Sequence, residues 1–248
     1  MENKKPIIIA HRGASAFAPE NTMAAFQKAV ELSADGIELD VKCSKDGELV
    51  IIHDQTLDRT TNGHGKVVET NLKELRDLDA GSWFSAEFKG EKIPLLREVL
   101  EEFSSRLFIN VELTNYSSSS DGLAQKAAAL VKHMGVEKSV LFSSFNPYNL
   151  ILTRRIVPDV PVALLALPGK IGWIFRSNMM KWLSPDLIHP HYNDVNKRFI
   201  EKQHQKNRRV NVWTVNTETE IKKLLKDNVD GLITDDPSLA KRLIKKDD

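Results

Sequence analysis

Short apolar runs alternate with amphipathic stretches along most of this chain. The runs Ile7–His11, Gly36–Val41, Leu107–Leu113, Ser139–Ser144, Pro161–Leu165, Asp186–Pro190, Val210–Val215 and Gly231–Asp235 read as strands. Between them, apolar residues recur at helical spacing. Met23, Phe26 and Val30 follow a cap at Asn21 or Thr22, and Leu123, Ala127, Leu130 and Val131 follow Asp121. Ile221, Leu224 and Leu225 follow Thr217, which has Glu220 as a capping-box partner, and Leu239, Leu243 and Ile244 follow Pro237. This alternation predicts a parallel α/β fold. Eight such units in 248 residues match the size of a (β/α)8 TIM barrel, with a doubly wound sheet as the rival.

One stretch breaks the rhythm. From Asp35 to Asp54 the pattern predicts two strands joined at Asp46-Gly47, a two-residue hairpin signal. Counting outward from that turn pairs Ser44 with Leu49, Lys42 with Ile51 and Asp40 with His53. The last pair would sit with Cα atoms roughly 4.5–5.5 Å apart. Glu38 and Asp40 then share a face, and Ile37, Leu39, Val41, Cys43, Val50 and Ile52 form the apolar face opposite. After the hairpin, residues 54–93 carry turn chemistry at Thr60–Gly65, a short helical pattern at Leu72–Leu78, and Trp83, Phe84 and Phe88. That segment reads as an inserted lobe beside the barrel mouth, too small for its own core, so residues 1–248 are expected to form a single domain.

Composition narrows the partners. The net charge is +1 with scattered basic residues, which excludes a nucleic-acid surface. The one cysteine, Cys43, rules out an internal disulfide and fits a reducing compartment. The first apolar run is too short for a signal peptide, and no run reaches the roughly 18 apolar residues of a membrane span, so a cytoplasmic location is expected.

In a barrel the working face is the C-terminal end of the strands. The residues there are His11-Arg12-Gly13, Glu38 and Asp40, Asn110, Glu112 and Thr114, His189-Pro190-His191, Trp213 with Asn216, and Thr234-Asp235-Asp236. Three carboxylates converging at one mouth repel one another unless a cation lies among them. Glu38, Asp40 and Glu112 therefore suit a hard divalent ion, Mg²⁺ or Ca²⁺, better than zinc. His11 and His53 suit a paired general acid and base, and Arg12 a phosphate grip.

These residues stand in motifs that resemble the glycerophosphodiester phosphodiesterase family. The motifs are His11-Arg12-Gly13, Pro19–Thr22, Asp35–Val41, Lys45–Gly47, His53-Asp54, Arg59–Gly63, Asn110–Glu112, Ser143–Phe145, His189-Pro190, Trp213–Asn216 and Gly231–Asp235, in order over nearly the whole chain. The resemblance implies a (β/α)8 barrel with a small insertion. It implies metal binding by Glu38, Asp40 and Glu112, phosphate binding by Arg12, and acid–base work by His11 and His53. Thr114, Phe145, His189 and Trp213 are expected in the substrate pocket.

The implied reaction is hydrolysis of a glycerophosphodiester such as glycerophosphocholine or glycerophosphoethanolamine. It yields sn-glycerol 3-phosphate and an alcohol through a cyclic phosphate, with His11 favoured as the first base. The partner is thus a small molecule, and the oligomeric state is not specified. One departure stands out: the family usually has lysine two residues after the third carboxylate, where this chain has Thr114. Lys42 and Lys170 are the nearest candidates to replace that charge. Two alternatives share the motifs, a phospholipase D-like enzyme acting on lysophospholipids and a non-catalytic phosphodiester-binding barrel. The stretch Lys170–Leu183 bears on the first. Its stripe of Ile171, Phe175, Met179 and Trp182 should pack inward, leaving Trp173 and Met180 for a lipid-like substrate, a peripheral membrane contact or a dimer partner.

Overall fold

The computed structural model describes residues 5–116, 121–176 and 185–246. Its strands are β1 (Ile7–Ala10), β2 (Gly36–Cys43), β3 (Leu49–Ile51), β4 (Phe108–Leu113), β5 (Val140–Ser144), β6 (Val162–Ala166), β7 (Leu187–Pro190), β8 (Arg209–Val212) and β9 (Gly231–Thr234). All but β3 pair in parallel with their neighbours. β9 returns to β1 with Gly231 opposite Ile7, and β1 meets β2 with Ile9 opposite Gly36. The sheet therefore closes into an eight-stranded barrel, which excludes the doubly wound alternative. β3 lies antiparallel on the upper part of the β2 edge that β1 has left free.

Outside the barrel lie α1 (Met23–Glu31), α3 (Leu96–Phe103), α4 (Leu123–Met134), α5 (Pro147–Ile156), α6 (Gly169–Arg176), α7 (Lys197–His204), α8 (Glu218–Asp227) and α9 (Pro237–Lys246), with α2 (Leu72–Asp77) in the inserted segment. Two of the expected caps form, with Thr22 Oγ1 accepting from the Ala25 N–H and Thr217 closing a capping box with Glu220, whereas the N-cap of α4 is Gly122 and Asp121, one residue earlier, accepts from the Leu123 N–H. Side chains alternate along each strand, and the outward set packs under the helices. Ile37, Leu39, Val41, Ile109, Val111, Leu113 and Phe142 join Phe26, Leu100 and Leu123 in the larger cluster. Ile8, Val210, Val212 and Leu232 meet Ile221, Leu224 and Leu243 in a second. Each such side chain contributes about 1.5–3 kcal/mol by leaving water, which is enough to lock the register of every strand. The inward set is then fixed by elimination. Leu141, Ala163 and Leu187, with Phe108 against them, make an apolar floor, while Glu38 and Asp40 on β2 point into the barrel above it.

Cys43 ends β2 on the outward face, 3% exposed, with its Sγ 4.0 Å from the Asp121 carbonyl oxygen. Burial, aided by the Asp121 charge, pushes its thiol up to about 11.

The hairpin differs from expectation by one residue. Val41 pairs with Ile51, Lys42 with Val50 and Cys43 with Leu49. The loop has three residues rather than two. The Ser44 N–H donates to the Glu48 carbonyl at 2.9 Å, and only Gly47 adopts a left-handed φ, +86°. The cause is local. Ser44 Oγ donates to Asp46 Oδ1 and accepts from the Glu48 N–H, while Asp46 also accepts from the Leu72 N–H of α2. Asp46 is thus committed to the inserted segment and cannot serve as a hairpin tip. A one-residue shift exchanges the faces. Leu49 and Ile51 join the main core, whereas Val50 and Ile52 pack with Leu57, Val67, Leu75, Ala80 and Ile93 of the insert. Asp40 faces Ile52, whose N–H donates to the Asp40 carbonyl, and His53 follows on the loop rather than opposite Asp40.

Candidate active site

Register places the acidic residues. β2 and β4 run side by side with Glu38 opposite Asn110 and Asp40 opposite Glu112. All four point inward because their neighbours in sequence are held outward by the core. One ligand oxygen from each of Glu38, Asp40 and Glu112 lies within 4.8 Å of the other two. Glu38 and Asp40 are buried, and Glu112 is partly so, with Tyr116 Oη donating to its Oε1 at 2.9 Å. The next inward layer is Lys42 beside Thr114, where Lys42 Nζ donates to Thr114 Oγ1 at 2.7 Å and to its carbonyl at 3.1 Å.

The electrostatics of the cluster are uneven. Burial, then repulsion from Asp40 and Glu112, pushes Glu38 well above the ordinary carboxylate range. Burial and Asp40 likewise push Glu112 up to about 8, against the opposing pull of Tyr116, Arg12 and Lys42. Asp40 is also penalised by burial, but Arg12, His53, Asn21 and Lys42 outweigh that and hold it below its usual value. Burial lowers Lys42, against the pull of Asp40, Glu112 and Asp54. Glu38 Oε1 is buried with no hydrogen-bond partner among the described residues. An orphaned buried carboxylate oxygen, two raised carboxyls and an all-oxygen donor set fit a hard divalent cation.

Arg12 reaches the cluster through an unusual turn. Arg12 and Gly13 are consecutive left-handed residues, φ +57° and +82°. A Cβ at position 13 would also lie 2.6 Å from the Ala25 side chain, so only glycine fits there. The turn aims the Arg12 N–H at Glu38 Oε2, 3.0 Å away, and sets the guanidinium between Asp40 at 3.3 Å and Glu20 at 2.8 Å. Burial opposes its charge, but Asp40, Glu20 and Glu38 raise its pKa.

The two histidines are anchored alike. His11 Nδ1 lies 2.7 Å from Asp235 Oδ1, and His53 Nδ1 lies 2.7 Å from Asp54 Oδ1. With the proton of each Nδ1 directed at a carboxylate, each Nε2 is left for acid–base work. Asp235 is held by Ser15 Oγ and Asn216 Nδ2. Burial works against its charge, but His11, Asn216 and Ser15 keep its pKa low. Asp54 is gripped by Arg59, which also reaches Glu20 with two bonds of 2.6 and 2.8 Å.

Phe145 and Trp213 lie in a row of rings, Tyr116–Phe145–Trp213–His191–Tyr192, with successive centroids 4.3–6.0 Å apart. His189 is placed differently. Its ring is fully buried, its Nε2 lies 3.2 Å from Asn211 Nδ2, and burial with the Arg209 charge lowers it to about 3. It is a neutral ring on the inward face of β7, and its carbonyl accepts from the Trp213 indole at 2.7 Å. Trp173 is 59% exposed on α6. The side chains of Ile171 and Phe175, and Met179, Met180 and Trp182 entirely, lie outside the described residues.

Sequence reasoning gave no role at the site to Glu20, Asp54, Arg59 or Tyr116, and offered Asn21 only as a helix cap. Four of them stand in the motifs Pro19–Thr22, His53-Asp54 and Arg59–Gly63, so membership of those motifs was the available signal. Tyr116 lies in no such motif.

Comparison with known proteins gives the family and the fold. The family model described as "Glycerophosphoryl diester phosphodiesterase family" matches residues 11–239. A glycerophosphodiester phosphodiesterase of Caldanaerobacter subterraneus subsp. tengcongensis is 40% identical over 243 residues, covering 98% of this chain and 99% of its own. One of Bacillus altitudinis is 38% identical over 241 residues, covering 95% and 97%. The crystal structure of the Agrobacterium tumefaciens glycerophosphodiester phosphodiesterase superposes with a TM-score of 0.83 at 32% identity, covering 96% of this chain and all of that one. An Oleispira antarctica phosphodiesterase in complex with the product sn-glycerol-3-phosphate gives 0.83 at 32% identity, covering 97% of each. Matched end to end by sequence and by fold, the chain belongs to the glycerophosphoryl diester phosphodiesterase family.

Proposed function

We propose that this protein hydrolyses glycerophosphodiesters to sn-glycerol 3-phosphate and an alcohol, using a divalent metal, Mg²⁺ or Ca²⁺, held by Glu38, Asp40 and Glu112. One observation carries the reading: two histidines, each with Nδ1 on its own carboxylate, accompany a three-carboxylate cluster that Arg12 touches through both backbone and side chain. When bound, the metal supplies Lewis-acid stabilisation of charge on the phosphoryl oxygens.

The rest is the work of the chain. His11 Nε2 takes the proton from the glycerol 2-hydroxyl as that oxygen bonds to phosphorus. His53 gives its proton to the departing alcohol oxygen as the phosphorus–alkoxy bond breaks. The product of this step is a five-membered cyclic phosphate, favoured because the nucleophile belongs to the substrate. Water then attacks phosphorus, giving its proton to His53 while His11 returns its proton to the 2-oxygen, so both histidines end as they began. Arg12 holds the phosphoryl group, and the Tyr116–Tyr192 ring row, with Thr114, borders the substrate.

The test incubates purified protein with glycerophosphocholine, glycerophosphoethanolamine and lysophosphatidylcholine, each with Mg²⁺, Ca²⁺ or EDTA. Metal-dependent release of sn-glycerol 3-phosphate is the expected result, and full activity in EDTA after dialysis removes the metal from the scheme. Exposed Leu167 and Trp173, on the loop and helix after β6, favour a second reading in which an acyl chain lies across the rim. Preference for lysophosphatidylcholine would establish it. No helix among the described residues is long and apolar enough to cross a membrane.

A further inference from the structure

Lys42 is the unusual cation of this site. It is 2% exposed and lies in the inward row Glu38–Asp40–Lys42, one layer above the carboxylates. The other two cations nearby are committed to acids. Arg12 is in contact with Asp40 and Glu20, and Arg59 with Glu20 and Asp54. Lys42 makes no contact ion pair among the described residues. Two of its three N–H groups go to neutral oxygens, both of Thr114. Thr114 is in turn fixed, its hydroxyl donating to the Val41 carbonyl at 2.9 Å.

A buried ammonium without a contact carboxylate is costly; of the acids that balance it at a distance, Asp40 and Glu112 are ones a divalent ion would neutralise, and Asp54 is already bonded to His53 and Arg59. With such an ion bound, the layer is left with an ammonium that has one N–H unused and no anion beside it. That is an electrostatic requirement for an anion above the carboxylate cluster.

We propose that Lys42 is the second anion-binding residue of this site, oriented by Thr114 so that its remaining N–H meets a non-bridging phosphoryl oxygen. The assignment rests on the functional reading above. It also accounts for Thr114 at the position where the family resemblance implies lysine. Positions 42 and 114 are cross-strand neighbours, so the charge occupies the same layer from β2 instead of β4, and threonine supplies the acceptor that steers it. Thr114→Lys alone would set two ammonium groups against each other and bring no gain in affinity.

The test measures KM and kcat for glycerophosphocholine, and the Kd of sn-glycerol 3-phosphate by calorimetry, all in saturating Mg²⁺. Lys42→Gln removes the charge but can still hydrogen-bond Thr114, so a merely structural lysine would tolerate it. The expected result is a rise of about tenfold or more in KM and Kd, with kcat changing less and Tm held within a few degrees. The exchange variant Lys42→Thr/Thr114→Lys should recover most of the lost affinity. Unchanged KM and Kd in Lys42→Gln overturns the assignment, and so does an exchange variant no better than Lys42→Gln. The two claims separate. A parent protein that turns over no diester overturns the functional reading, and calorimetry still decides the lysine. Binding of sn-glycerol 3-phosphate that depends on Lys42 sustains it, whereas absent or Lys42-independent binding overturns it.

Discussion

The two histidines are anchored alike but come from dissimilar regions. His11 sits on the seam where the barrel closes. Its N–H donates to the Thr234 carbonyl at 2.8 Å, and its carboxylate partner, Asp235, is 224 residues away in sequence. His53 sits on the loop after the hairpin, and its partner is the next residue. Its side chain is 41% exposed, against 19% for His11. The seam histidine is held by sheet hydrogen bonds that the fold requires in any case. The hairpin histidine is held by a ladder of charges, Asp54–Arg59–Glu20–Arg12–Asp40, that ends in the carboxylate cluster. One is therefore positioned by topology, and the other is coupled to whatever occupies the metal site.

The largest effect falls where the ladder and the cluster meet. Glu38→Ala, Asp40→Ala and Glu112→Ala should each abolish turnover at any Mg²⁺ concentration reached in a titration, with the barrel intact by circular dichroism. Full activity in any of them removes that carboxylate from the metal set.

His11→Ala and His53→Ala come next. Each should lower kcat by at least about 10²-fold, the usual scale for a positioned proton-transfer group. Equal losses would mean that unlike anchoring serves equal chemistry. Near-parental turnover in one would confine proton transfer to the other region.

The anchors separate the regions more finely. Asp235→Asn and Asp54→Asn should each cost about 10- to 100-fold, the range seen when a group orienting a functional histidine is lost. Arg59→Ala should cost less, about tenfold or below, since Arg59 is half exposed and its ion pairs are screened. Its loss should shrink with added salt, which already weakens these exposed pairs in the parent protein, whereas that of Asp235→Asn should not. Equal salt dependence in the two variants would erase the distinction between ladder and seam.

The smallest effect is on stability. Glu112 is raised in the fold to about 8 from an unfolded value near 4.5. Between those values the unfolded chain has already released a proton that the folded protein keeps. Metal-free stability should thus fall as pH rises from about 5 to 8, with Glu38 acting in the same direction. Mg²⁺ should raise Tm more at pH 8 than at pH 6, because protons compete with the ion at the lower pH. A Tm gain that does not change with pH would place the ion away from these carboxylates.

Much of this was legible in the chain. Seven of the eight parallel strands fall within two residues of their apolar runs, because burial on the outer face leaves little choice of register, whereas β8 stops at Val212, three residues short of the expected end. Glu38, Asp40 and Glu112 follow from that alternation alone. The hairpin was not legible to the residue. Asp46-Gly47 reads as a two-residue turn until Ser44 and the Leu72 N–H claim Asp46, and the latter comes from another segment. Nor was the partner of Lys42. Its bond to Thr114 follows from a β2–β4 register that no local pattern encodes. His189 shows the converse limit, since a strand-end histidine beside proline looks exposed to the pocket, yet the closing barrel buries its ring completely.

Cys43 turns the outward face of β2 into a means of watching the protein open. With its thiol pushed up to about 11, Cys43 is held as the unreactive thiol at pH 8, and the buried sulfur offers a reagent no approach. A thiol-reactive dye should leave the native protein unlabelled and mark it only when α4 lifts from the end of β2. The labelling rate then reports the opening free energy of the strand that carries Glu38, Asp40 and Lys42. Since Cys43 is the chain's one cysteine, the measurement needs no engineered thiol, and its slowing by Mg²⁺ or a phosphate ester would register occupancy of the site from the opposite side of the same strand.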